Sequence, residues 1–173
     1  MADYTILVTD QNLNVVGDPI SCWTSLDVTL RFNEPSSGMF VAPGYLSVRE
    51  QMAPGRRIVL IRDQAVVLAG PIEKWQYERS DDGDNAGDGV LTVNWADDLA
   101  FIAARLTYPD PALEPGAQVI DNWTWTGNAE AALIALADGN AGPSALTARQ
   151  VPQLVMDTPA GVGTSITAKA DRM

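Results

Sequence analysis

The chain has 173 residues, 46% of them apolar, which is enough for a packed core in one domain or in one domain with a smaller addition. Histidine is absent and Cys22 is the single cysteine, which removes His-based triads, the commonest general base, intrachain disulfides and Cys-type zinc sites. A formal net charge of −11, from 22 acidic against 11 basic residues, disfavours specific nucleic-acid binding through phosphates and adhesion to anionic membranes.

Tyr4 to Thr9 reads as an opening strand, followed by a turn at Gln11 to Asn14 and a break at Gly17-Asp-Pro19. Ser25 to Asn33 alternates, with Leu26, Val28, Leu30 and Phe32 on one face and Asp27, Thr29, Arg31 and Asn33 on the other. That is the period of a long half-buried strand. Met39-Phe-Val41 is a short strand. Ile58 to Ile61 and Ala65 to Ala69 form a hairpin around Asp63-Gln64.

Pro71 opens a further strand over 72–79, with Trp75 and Tyr77 on one face, and Val90 to Trp95 alternates again. These two make a second hairpin with a long acidic tip. Asp97 is placed to cap a helix over 97–106, which ends before Tyr108-Pro109. Val119 to Thr126 reads as a strand carrying Trp123 and Trp125. A second helix follows Gly127-Asn128 and is stopped by Gly139 to Pro143. Leu154 to Met156 and Thr164 to Ala170 are the closing strands. The pattern is mainly β with short helices, an antiparallel α+β protein, with a β-rich part over 1–96 and a helix-containing part over 97–173. The strand-like end near Asp171 suggests a chain that continues.

No catalytic set stands out, and no cofactor is implied. Asp82, Asp84 and Asp88, within the loop 80–89, have the oxygen ligands and glycines of a calcium loop. Counted from Asp82, Gly87 takes the sixth position, but Val93 stands at the twelfth, where a bidentate carboxylate is required. The loop, with Asp81, reads better as a solvated hairpin tip, and calcium stays a weak alternative. Trp123 and Trp125 are a sugar platform or, more in keeping with alternate tryptophans on a strand, part of a core or subunit interface. Asp97, Asp98 and Glu73 are carboxylates of the type glycosidases use, but Asp97 is better explained as a cap. Arg56-Arg57 is a local basic pair read by default as solvated, with the carboxylates of a neighbouring subunit as the alternative partners. No secretory signal and no run long enough to span a membrane is visible.

The ordered segments resemble a known family. Tyr4-Thr-Ile-Leu-Val-Thr-Asp10, Ser25-Leu-Asp-Val-Thr-Leu-Arg-Phe-Asn33, Pro54-Gly-Arg-Arg-Ile-Val-Leu-Ile-Arg-Asp63 and Leu68-Ala-Gly-Pro-Ile72 come first. Asp97-Asp-Leu-Ala100, Leu106-Thr-Tyr-Pro-Asp-Pro111, Ala129-Glu-Ala-Ala-Leu133, Asn140-Ala-Gly-Pro143, Val151-Pro-Gln-Leu154 and Gly161-Val-Gly-Thr164 follow. Together they are similar to the N-terminal part of a minor tail protein family of long-tailed actinobacterial phages. That family in turn resembles the baseplate hub of contractile-tailed phages and the tail-associated proteins of flexible-tailed ones.

The resemblance implies hub-like β-barrel domains in a virion tail-tip component made in the bacterial host cytoplasm. It implies a trimer that joins the tail tube or distal tail ring to fibre or spike proteins. A hexameric distal ring protein and a carbohydrate-binding tail module are the alternatives. No catalytic residue is carried over by the resemblance.

Overall fold

The structure, a computed structural model, describes residues 3–79, 88–104 and 107–171. The chain divides into two units, Met1–Ala100 and Phe101–Met173.

The first unit is one antiparallel sheet. Its strands are β1 (Tyr4–Thr9), β2 (Ser25–Thr29), β3 (Ser37–Pro43), β4 (Arg57–Arg62), β5 (Ala65–Glu78) and β6 (Val90–Ala96). They lie in the order β1-β4-β5-β6-β3-β2. One short helix, α1 (Leu46–Arg49), follows β3.

The β4–β5 hairpin forms where the sequence places it. Its two turn residues, Asp63 and Gln64, have φ of 49° and 70°. Positive φ at both central positions defines the type I′ turn, whose twist matches the flanking strands. Gln64 holds this conformation at a cost of about 1 kcal/mol relative to glycine. Gln64→Gly should therefore raise stability by a net of about 0.5 kcal/mol once glycine's extra chain entropy is subtracted. A urea titration of the two proteins checks this.

β5 is a single 14-residue strand rather than two elements meeting at Pro71. Its first half pairs with β4 as far as Arg57↔Pro71, and its second half pairs with β6 from Ile72↔Trp95 to Glu78↔Val90. Pro71 therefore sits at the changeover between neighbours, where the lack of an N–H is best tolerated. Gly70 is buried there, and a Cβ on it would overlap the Ala96 carbonyl oxygen. The close passage of β5 under the end of β6 requires a glycine.

The inner face collects Ile6, Val8, Ile58, Leu60, Leu68, Phe40, Leu91, Val93 and Trp95, all at most 4% exposed, and Val48 and Met52 pack with them. The outer edge of β1 is covered. Val16 N donates to Val8 O at 2.8 Å and Ile20 N to Ile6 O at 2.8 Å. Thr24 N then bonds Val41 O on β3, so the segment 15–24 ties the two ends of the curled sheet together. A turn stabilised by Asp10 leads into it. Asp10 accepts from Asn12 N, Asn14 N and Asn14 Nδ2 at 2.8–3.0 Å. The Asn14 amide is foremost in holding this carboxyl below the usual carboxylate range. A lowered folded-state value means that the turn's support is full above the ordinary carboxylate value and is lost as the pH falls from there through the lowered one.

The alternation from Ser25 to Asn33 was expected to run as one strand, but β2 ends at Thr29. Thr29 pairs with Ser37, the first residue of β3, so nothing remains to pair beyond it. Residues 30–36 form a loop with Asn33 at φ 59°. Leu30 and Phe32, expected on the buried face, are 61% and 90% exposed.

The second unit pairs β7 (Asn122–Asn128) with β8 (Ser165–Asp171) and adds α3 (Ala129–Ala141). The Asn128 side chain caps α3, accepting from Glu130 N at 2.9 Å and Ala131 N at 3.3 Å. Asn128→Ala should cost about 1 kcal/mol, read as faster hydrogen exchange across α3. The helix was expected to stop at Gly139 but runs on to Ala141. Asn140 explains the extension. Its Nδ2 donates to Leu136 O, and its Oδ1 accepts from Tyr108 N at 2.8 Å and Arg149 Nη2 at 2.5 Å. Arg149 also lies 4.3 Å over the Tyr108 ring.

The other helix, α2 (Leu99–Ala103), is shorter than the expected 97–106; Arg105 and Leu106 lie outside the described residues. No strand forms at Leu154 to Met156, where each polar backbone group would need a partner strand that none of the described elements supplies.

Candidate interaction surfaces

The two arginines differ. Arg57 is buried, 8% exposed, and its Nη2 sits 2.6 Å from Asp98 Oδ2. The solvated pair read from sequence is therefore corrected for Arg57, because β4 carries it inward beside the start of α2. Arg56 is half-buried. Asp97 accepts from Leu99 N at 3.1 Å and from Ser36 N at 2.8 Å, joining the start of α2 to the start of β3. Glu73 is exposed on β5, at the irregularity between Ile72 and Lys74. Asp98 is ion-paired with Arg57, although half of its side chain is exposed, and Asp97 holds two backbone N–H groups, so both carboxylates have structural roles.

Trp123 and Trp125 lie on one face of β7, as expected for positions i and i+2. Their rings stack on each other, with centroids 5.9 Å apart and an interplanar angle of 13°. A sugar platform presents a flat ring face to the ligand, whereas here one face of each ring is spent on the other. Both residues are half-buried.

Asp88 is exposed; Asp81, Asp82 and Asp84 lie outside the described residues. Among the described residues, no group of three His, Cys, Asp or Glu side chains is arranged to hold a metal ion. The Cys22 thiol is half-buried against the core and forms no disulfide.

Two features escape sequence reading. A cavity of about 400 Å³ lies between the 16–22 segment and α1, lined by Asp18, Ile20, Cys22, Val48, Glu50 and Gln51 among others. Gln51 is 7% exposed, and its Nε2 donates to Ser47 O at 3.1 Å, which anchors the helix end. A four-residue helix has no apolar period to betray it. The second feature is a groove of about 260 Å³ on the outer sheet face, lined by Asp27, Thr29, Ser37, Met39, Glu73 and Asn94 among others. Its residues come from four strands, so only the sheet order brings them together.

Large apolar side chains are exposed in both units. Leu30 and Phe32 are joined in the second unit by Val119 at 82%, Leu133 at 70% and Val155 at 80%. Among the described residues of the second unit, the buried hydrophobic side chains of the core are alanines: Ala132, Ala141 and Ala145.

Fold and surfaces together define a mainly antiparallel β protein whose exposed features suit contact with other proteins. A family model described as siphovirus ReqiPepy6 Gp37-like protein matches residues 5–173, and the chain belongs to that family. The family is one of siphovirus proteins. A tail protein from Neisseria meningitidis MC58 shares 18% identity with a TM-score of 0.46, over 65% of this chain and 28% of that one. The chain thus spans little more than a quarter of the length of that protein. No curated protein matches the chain significantly.

Proposed function

We propose that this chain is a tail-tip hub or adaptor that joins the tail tube or distal ring to central fibre or spike proteins, in three copies about the tail axis. The observation that carries the reading is the family match across residues 5–173. The exposed apolar side chains support it, since a hub works by contact. In this reading residues 1–96 are the hub domain, and 97–173 link it to its neighbours. The chain acts without catalysis of its own, in keeping with its lack of histidine.

Quantitative mass spectrometry of purified tails tests the stoichiometry against a protein of known copy number. Three copies per tail support the hub. Six would assign the chain to the distal ring instead, and none would remove it from the virion.

A further inference from the structure

We propose that the open edge of β2 receives an extended strand from a different tail protein, one that places a basic side chain opposite Asp27. The inference rests on the tail-component reading above. It begins from an asymmetry between the two edges of the sheet in the first unit. The β1 edge is covered by the chain's own Val15–Ile20 segment, with bridges Ile6↔Ile20 and Thr9↔Val15. Among the described strands, β2 pairs with β3 alone. Its other edge therefore offers unpaired backbone groups, the feature that strand addition uses.

The side chains around this edge match such an occupant. Leu30 and Phe32 continue the alternation of Leu26 and Val28 past the end of β2, yet they are 61% and 90% exposed. An added strand alongside β2 would offer its own apolar side chains to that row. The loop that carries them is anchored. Arg31 N donates to Ser36 Oγ at 3.0 Å, and Ser36 N to Asp97 Oδ2 at 2.8 Å.

On the opposite face of the strand, Asp27 and Thr29 open onto the 260 Å³ groove, which also carries Glu73. Among the described residues, none that lines that groove is basic. A cross-strand neighbour of Asp27 is therefore favoured as lysine or arginine and disfavoured as an acid. The same geometry speaks against a second copy of this chain. Head-to-tail addition of identical sheets needs two open edges per copy, and the β1 edge is closed. Two-fold antiparallel pairing of β2 with itself, centred on its middle residue, would set Asp27 opposite Asp27, where like charges are destabilising.

The test uses assembled tails that carry a photo-cross-linking phenylalanine analogue in place of Phe32. Mass spectrometry first verifies that the chain is present. We expect a cross-link to an extended segment of another tail protein, with lysine or arginine within two residues. Adding Asp27→Lys should cut the yield about fivefold, the scale of one cross-strand charge pair, whereas Asp27→Glu should preserve it. A cross-link between two copies, a cross-link to a segment without a basic residue, no cross-link, or a yield indifferent to Asp27→Lys would each overturn the inference alone. Tails that lack the chain would overturn the structural reading as well.

Discussion

Trp95→Ala is expected to be among the most destabilising substitutions in the chain, at about 3–5 kcal/mol, the range for removing a buried tryptophan. Trp95 is 0% exposed on β6, and its ring lies 6.1 Å from that of Phe40 at a tilt of 56°. It covers the space above its register partner Gly38, where a Cβ would overlap the indole. Removing the ring opens a cavity between β3 and β6 that the rigid strands cannot close. Among the described residues the indole Nε1 has no hydrogen-bond partner, so the ring contributes through packing rather than through a polar contact. Trp95→Phe should therefore cost much less than Trp95→Ala. Urea midpoints followed by circular dichroism distinguish the two, and equal losses would contradict the packing account.

Gly70→Ala is expected to cost about 3 kcal/mol, the upper part of the range for overpacking a closed site. The methyl group would meet backbone on every near side: the Ala96 carbonyl oxygen and the Asp97 Cα and carbonyl carbon. Backbone cannot swing away as a long side chain can. To relieve the overlap, β5 would have to move from the end of β6, at the point where it exchanges β4 for β6. Hydrogen exchange should accelerate first at Ile72 and Trp95. Gly55→Ala is the control for the loss of glycine itself, because nothing lies within 4 Å of its Cβ position. Its φ of 78° still makes it mildly destabilising.

How much of this was legible in the sequence depended on how local the cause was. The β4–β5 turn, the helix start at Gly127-Asn128, the opening strand β1 and the alternation of β6 are dictated by neighbouring residues, and all appear where the residues put them. The reading failed where a distant partner decides. Leu30 and Phe32 keep the strand period, but β3 begins only at Ser37 and leaves them unpaired. Gly139 and Asn140 look like a helix stop, yet Asn140 is recruited by Tyr108 and Arg149 to carry the helix onward. The basic pair Arg56-Arg57 shows no sign in sequence that Asp98, 41 residues away, holds Arg57 indoors. The outer groove was invisible for the same reason, since Asp27 and Glu73 meet only through the strand order β5-β6-β3-β2.

The contact surfaces follow the same logic. The residues singled out for chemistry, Asp97, Asp98 and Arg57, are occupied with holding the fold. The residues read as fold, Leu30 and Phe32, are the ones left facing outward. For an assembly protein this inversion is expected, because its apolar pattern is written for neighbours as well as for its own core.

The most direct measurement is a cryo-electron microscopy reconstruction of the intact tail. The account predicts three copies of this chain around the axis at the tip, between the distal ring and the central fibre or spike proteins. Six copies in a ring, or density for the chain nowhere in the tail, would contradict it.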